Sequence, residues 1–304
     1  MISSNKKYLY SFLPFLAIVI LVVLFKAFRL SFPKTDDAYL KAHIVDIAPR
    51  LTAPIAAINI KENQFVKKGV ELLRLDQSVY LTQLRAAEAA FENSLEISKA
   101  SEAALNRSIK DLERIKSLYS EGLVSDSKYL SAITLNREMQ AARDSANSQG
   151  RLAKANLDEA QLRLSFTKLV SPANGWISNF DLRLGMIVQA DKPIFSIIED
   201  KKWWVEANFK ETQMRNIRIG QTATLSVDMF PNLKLKGVVE SMGAGSGVTF
   251  SLLPPQNSTG NWVKITQRFP VKVSIDNAPK TAINGWNPLK VGSSVVVTID
   301  ARNR

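Results

Sequence analysis

The chain has 304 residues, 46% of them apolar, and its 40 Lys and Arg against 28 Asp and Glu give a net charge of +12. This length allows one or two domains, and the apolar share excludes wholesale disorder. The absence of Cys removes thiol nucleophiles, Fe–S clusters, zinc–thiolate sites and disulfides, and the single histidine, His43, removes two-His metal motifs.

The basic residues are scattered, with no run longer than two. They read as a solvated surface working near anionic lipid, not as a nucleic-acid footprint. From Leu9 to Phe25 the sequence LYSFLPFLAIVILVVLF is uncharged for 17 residues, flanked by Lys6, Lys7, Lys26 and Arg29. With Tyr8 and Phe28 it approaches the roughly 20 residues that cross a bilayer core, and Pro14 sits early enough to be tolerated. The segment after it, LFKAFRLSF, is bulky and basic, unlike a signal-peptide cleavage site. The expectation is one uncleaved transmembrane anchor with the rest of the chain on one side. Charge bias does not orient it, because Lys and Arg flank both ends.

Pro is absent between Pro54 and Pro172, which invites long helices. Leu84, Phe91, Ser98, Leu105, Leu112 and Tyr119 recur every seven residues between about Gln77 and Tyr119. Leu95 and Ile109 supply part of a second seam, interrupted by Glu88, Glu102 and Lys116. The stripe is narrow and suits a two-helix hairpin. A break falls at Glu121–Ser127, with Gly122 able to turn left-handed and Ser125 or Ser127 able to cap the next helix. That helix is expected to run to about Leu164, with Ile133, Leu152, Ala155 and Leu162 on its packed side. Arms of some 40 residues make a rod of about 60 Å.

The flanks of this rod repeat each other at a shift of 122 positions. Ile55, Ile58, Ile60, Phe65 and Val66 fall on Ile177, Phe180, Leu182, Ile187 and Val188; Leu72, Leu73 and Leu75 fall on Ile194, Phe195 and Ile197. Alternation inside each block predicts short strands, with turns near Asn63 and Gly185 and near Gly69 and Asp191. Two such half-domains pair most simply into one small β-sandwich from which the rod projects. From Trp203 onward, WVEANF, ATLSVDMF, LKLKGVVES, RFPVKVSID and SSVVVTIDA read as barrel strands separated by turns. The GAGSG run, Gly243–Gly247, lacks the ending and following helix of a phosphate loop and reads as a flexible hairpin.

This order of parts resembles the periplasmic adaptor (membrane fusion protein) family of Gram-negative efflux pumps, in its HlyD/EmrA-like branch. Thr35–Tyr39 (TDDAY) is similar to the segment joining anchor to body. Val66–Asp76 and Ser171–Ile198 are similar to the two halves of the family's lipoyl-like domain, and Val205–Gln221 and Ser251–Asp276 to its EmrA-like barrel. Within the last segment, Asn261, Trp262, Gln267 and Arg268 form a barrel signature. The fold class implied is α+β multidomain: residues 1–34 tip and anchor, 35–76 linker strand and first lipoyl-like half, 77–165 helical hairpin, 166–200 second half, 201–304 barrel. The chain departs from the family at Ala53-Pro54, where a turn Gly is usual, and at Val70, where an acidic residue is usual. Neither half carries a modifiable Lys between small or Met neighbours, so no lipoyl or biotinyl cofactor is expected.

The resemblance implies a non-enzymatic adaptor held at the bacterial inner membrane with its body in the periplasm. Its implied partners are an inner-membrane transporter of major-facilitator type, a TolC-like outer-membrane channel and further copies of itself, as a trimer or hexamer. Arg114, Leu118 and Ser125 match the family's channel-docking spacing at the hairpin tip, with Ile115 apolar between them. A helical tip meeting another needs a guanidinium donor, an apolar knob and a small hydroxyl permitting close approach. The hairpin is shorter than in multidrug members and nearer to adaptors of aromatic-acid exporters. A protein-secretion adaptor and an anchored lipoyl-type carrier are further alternatives.

Other chemistry is thin. Asp36 and Asp37 are adjacent in an extended linker and cannot both face one substrate; Glu206 and Glu211 fall on a strand and the turn after it, where charges are normally solvated. His43 reads as a surface residue. Trp203, Trp204 and Trp262 read as barrel core or interface packing. The sequons at Asn106 and Asn257 carry no meaning in a bacterial host.

Overall fold

The computed structural model describes residues 31–247, 266–276 and 289–302. The anchor sequence and the signature residues Asn261 and Trp262, with the Asn257 sequon, lie outside the described residues. The strands are β1 (Lys34–Thr35), β2 (Ala38–Ile47), β3 (Ala53–Ile58), β4 (Phe65–Val66), β5 (Glu71–Leu75), β6 (Lys168–Val170), β7 (Gly175–Ser178) and β8 (Ile187–Val188). They continue as β9 (Phe195–Lys210), β10 (Thr222–Val227), β11 (Lys234–Met242), β12 (Arg268–Ile275) and β13 (Val295–Ile299). Helices α1 (Ser78–Ser120) and α2 (Asp126–Ser165) fall between β5 and β6, and a single turn, α3 (Glu211–Met214), follows β9.

The chain divides into two compact units. One comprises 46–173 and 177–196, the other 31–45, 174–176 and the described residues from 197 onward. Strands β2 and β9 contribute residues to each.

In the first unit, β6, β5, β3 and β8 form a sheet in that order, with Leu73 opposite Leu169, Ile55 opposite Leu75 and Ala53 opposite Val188. The sequence repeat is written into the backbone. Asn63 and Gly185, 122 positions apart, both turn left-handed (φ 61° and 80°), as do Gly69 and Asp191 (φ 85° and 61°). The halves also exchange matching hydrogen bonds. Ile55 N donates to Met186 O at 2.9 Å, and its counterpart Ile177 N donates to Gln64 O at 3.0 Å. Gly185 N donates to Ile55 O at 2.9 Å, and Asn63 N to Ile177 O at 3.0 Å. Asp191 N reaches Pro49 O at 2.9 Å, and Gly69 N reaches Ser171 O at 2.8 Å. This approximate dyad arises because each half leaves strand-edge donors that only the other half can satisfy. Most of the paired apolar positions are buried in both halves, Val66 with Val188 and Leu73 with Phe195 among them, while Phe65 and Ile187 are both exposed. Ala53 and Pro54, where a turn was expected, lie in β3 paired to β8.

The hairpin grows from this unit. Leu75 N donates to Thr167 O at 2.8 Å and Gln77 Nε2 to Thr167 Oγ1 at 2.7 Å, so the two helices are clamped where they leave the sheet. Asp76 accepts from Ser78 N and Oγ at 3.0 and 2.6 Å, supplying the acceptor that the start of α1 otherwise lacks. These bonds hold the Asp76 carboxyl below its usual range.

The second unit is a barrel. Its strands run β1, β13, β10, β11, β12, β9, and β2 pairs with β9. Tyr39 bridges Ser294, just before β13, and closes the ring. The linker Thr35–Tyr39 is thus woven into the barrel. Inward alternation places Val205, Ala207 and Phe209 of β9 against Leu225, Val239, Val273 and Val297, all essentially fully buried. Each large side chain among them contributes about 1.5–3 kcal/mol by leaving water. Trp203 joins this core; Trp204, next in the strand, faces outward under Lys272 and beside His43 at 4.9 Å each.

Candidate functional site

The seam of the hairpin corrects the sequence expectation. The heptad positions Leu84, Phe91, Ser98, Leu105 and Leu112 do face inward, but the second seam is Ala87, Ser94, Ser101, Ser108 and Ile115. Leu95 and Ile109, expected there, are exposed. On α2 the packed side is Ala132, Asn136, Met139, Arg143, Ala146, Gly150, Ala153, Leu157 and Ala160. Leu152 and Leu162 are 64% and 54% exposed, Ala155 is exposed, and Ile133 is half-buried.

The physical reason is spacing. Ala146, Gly150, Ala153 and Ala160 of α2 let the helices approach closely, and on α1 the small Ser94, Ser101 and Ser108 form the row that accompanies Leu84, Phe91, Leu105 and Leu112 in the seam. A Cβ on Gly150 would lie 4.0 Å from Ser94 Oγ. Ser98 Oγ bonds Asn147 Oδ1 at 2.7 Å, and Asn136 Nδ2 donates to Ser108 Oγ at 3.1 Å. Leu95, Ile109, Leu152 and Leu162 are left on the outside.

At the tip, Gly122 (φ 76°) ends α1. Gly122 N donates to Tyr119 O at 3.0 Å and Leu123 N to Leu118 O at 2.9 Å, the paired bonds of a Schellman turn. Ser125, not Ser127, is the N-cap of α2; its side chain accepts from Lys128 N at 3.4 Å. Tyr119 and Tyr129 stack at 4.7 Å between centroids, closing the seam behind the turn. A hydrogen bond to the Asp126 carboxylate raises the Tyr119 hydroxyl above its usual pKa.

The three tip residues therefore sit within the last two turns of α1 and the first residue before α2. Arg114 is exposed and bonded to Asp111 Oδ1 at 3.0 Å. Leu118 follows on the same face, half-buried. Leu123, which sequence reasoning did not single out, is more exposed than Leu118 and lies in the turn itself.

In the barrel, Arg268 is not a free surface charge: Nη1 lies 3.0 Å from Asp37 Oδ2, and Asn208 Nδ2 donates to Asp37 Oδ1 at 3.2 Å. Asp37, expected in an open linker, is thereby engaged. Glu206, expected to be solvated, pairs with Lys41 across the strands at 2.5 Å. Gln267 gives its carbonyl to Glu211 N at 3.0 Å. Among the described residues, no three His, Asp or Glu side chains cluster closely enough to hold a metal ion, and no helix is long and apolar enough to cross a membrane.

A pseudo-symmetric sandwich interrupted by a helical hairpin and followed by a barrel defines the class of adaptor proteins. Residues 43–199 match the family model for the RND membrane fusion protein barrel-sandwich hybrid domain, and 202–300 that for the AAEA-like β-barrel domain. The colistin resistance protein EmrA of Acinetobacter baumannii is 31% identical, the alignment covering 89% of this chain and 87% of that protein. The probable multidrug resistance protein EmrK of Escherichia coli is 30% identical over 99% of this chain and 88% of its own length. Among solved structures, MacA of Actinobacillus actinomycetemcomitans shares the fold, with a TM-score of 0.69 at 17% identity over 88% of this chain and 80% of that one. The chain belongs to the membrane fusion protein family, and its relatives are EmrA-like efflux adaptors. These are non-enzymatic pump subunits, and the chain is not an enzyme.

Proposed function

We propose that the chain is the periplasmic adaptor of a tripartite efflux pump. It is anchored in the inner membrane by residues 9–25 and links a transporter of major-facilitator type to a TolC-like outer-membrane channel. The cargo is drugs or other small toxic molecules, in line with the resistance named for its relatives. One observation carries the reading: helices of 43 and 40 residues, rooted together by Thr167, with a seam that mixes leucines with Ala, Ser, Gly and Asn and with further leucines left outside. A pair that buries so little apolar surface internally, and leaves Leu95, Ile109, Leu152 and Leu162 outward, is built to pack against further hairpins. Several copies, three or six, then enclose a conduit that one rod cannot. Arg114, Leu118 and Ser125 dock its tips on the channel.

The test is drug susceptibility in cells lacking their own adaptor. Arg114→Asp and Leu118→Asp should each abolish resistance while leaving helical content and transporter association unchanged. Full resistance in either variant would reject the tip assignment, and a strictly monomeric chain in the presence of both partners would reject the conduit. The modest hairpin length favours a second reading, an adaptor for aromatic-acid export. Protection against aromatic acids but not drugs would select it.

A further inference from the structure

We propose that one rim of the barrel, formed by α3, the turn after it and the start of β1, rests on the anionic surface of the bilayer. This builds on the membrane anchoring proposed above. The rim is defined by linked bonds. Ala301 N donates to Ser31 O at 2.9 Å, Gln213 Nε2 to Lys34 O at 3.2 Å, and Asp300 N to Thr222 O at 2.9 Å. The point where the chain enters the barrel and the turn 215–221 are therefore at the same end.

Five residues lie between Phe25, the end of the uncharged run, and Ser31, so six Cα–Cα steps join them. Fully extended they span about 20 Å. If the run spans the membrane, this rim is held within that distance of the headgroups, whatever else the body does.

The rim's chemistry fits that neighbour. Lys34, Lys210, Arg215 and Arg218 are exposed there, and Lys26 and Arg29 precede them in the tether sequence. The nearby carboxylates are Asp36, Glu211 and Asp300, and Asp300 is already taken by Arg302 through bonds of 2.9 and 2.7 Å. Arg218 holds the turn, donating from Nη1 to the carbonyls of Arg215 and Ile217 at 2.7 and 2.9 Å. Ile217 turns inward and is fully buried, whereas Ile219 is 64% exposed between Arg218 and Gly220. A bulky apolar side chain framed by cations is the composition of a segment that sits at the headgroup boundary. Anionic lipid attracts such cations only within about a Debye length, roughly 8 Å, so the contact must be close and salt-sensitive.

The chain has no Cys, so Ile219→Cys gives a single thiol in the full-length protein. It would carry an environment-sensitive nitrobenzoxadiazole label, with the protein reconstituted in vesicles of phosphatidylcholine alone or mixed with phosphatidylglycerol. Each vesicle would include a headgroup-region spin-labelled lipid as quencher. The expected result is a blue shift and quenching with phosphatidylglycerol, weakened by salt and much smaller without it. The same label at Met229→Cys, on the β10–β11 turn, should show neither. Adding Lys210→Gln and Arg215→Gln should at least halve the quenching while the protein still floats with the vesicles. A label that stays water-exposed at Ile219 in floating phosphatidylglycerol vesicles overturns the proposal and leaves the anchor intact. Protection that appears only when the transporter is co-reconstituted assigns the rim to a protein and also overturns it. A chain that floats with neither vesicle overturns the anchoring reading, and this one with it.

Discussion

Arg268 and Asp37, 231 positions apart, meet through an Nη1 to Oδ2 contact of 3.0 Å with Asn208 bonded alongside. The pair ties the segment that brings the chain into the barrel to the first residue of β12, which is also the last residue of the barrel signature. Thr35 Oγ1 donates to Asn208 O at 2.9 Å and Asn208 N to Asp37 O at 2.8 Å, so the same residues fix the entry backbone as well.

The pair is about one-third exposed, which limits its strength to that of a well-supported surface ion pair. A double-mutant cycle on Asp37→Ala and Arg268→Ala should give a coupling of about 1 kcal/mol in urea unfolding. Arg268→Lys should recover only part of it, because Lys lacks the planar fork. Additive single effects would show that the contact carries no stability.

A methyl added at Gly150 would make an ordinary contact with Ser94 Oγ, at 4.0 Å. Gly150→Ala should stabilise the hairpin by up to about 1 kcal/mol, through removal of the glycine's backbone freedom. Gly150→Leu should destabilise by roughly 1–3 kcal/mol, because the atoms beyond its Cβ must share the seam with Ser94 on the facing helix. Thermal melts followed by far-UV circular dichroism measure both.

Ser125 has two proposed roles that substitution can separate. Ser125→Ala loses the N-cap and should cost about 1 kcal/mol of hairpin stability. Ser125→Asp keeps a capping oxygen but puts a charge where the proposed docking needs a small hydroxyl. It should retain the melting temperature and lose drug resistance. Unimpaired resistance with Ser125→Asp would assign this residue to the turn alone.

The Asp300 carboxyl is depressed from 3.8 to about 2, first by the side-chain hydrogen bonds from Arg302. A depressed carboxyl favours the folded state above its ordinary value. That contribution persists at neutral pH and is lost as pH falls from about 4 through 2. Carbon-13 titration of the side chain should place its midpoint near that value, and Arg302→Gln should return it to the ordinary carboxylate range. The opposite sign holds for Tyr119. Its raised pKa stabilises the tip below about 10, and that support is lost as pH rises through the folded value.

The sequence alone determined the repeat, and through it the sandwich. Asn63 with Gly185 and Gly69 with Asp191 were legible as turns because Gly, Asn and Asp take the left-handed conformation at least cost, and that preference is local. The first heptad row and the Gly122 break were legible for the same reason. Tertiary structure decided what has no local signature. Two candidate rows flanked Leu84 and Phe91, one apolar at Leu95 and Ile109, one small at Ser94 and Ser108. Hydrophobicity favours the first, but in the folded hairpin Ser94 and Ser108 are buried and Leu95 and Ile109 are exposed, because the facing surface of α2 presents the small Ala146, Gly150 and Ala160. Likewise nothing near Asp37 in sequence announces Arg268: their meeting depends on β1, β2, β9 and β12 closing one barrel, which is a property of the assembled sheet and not of any segment.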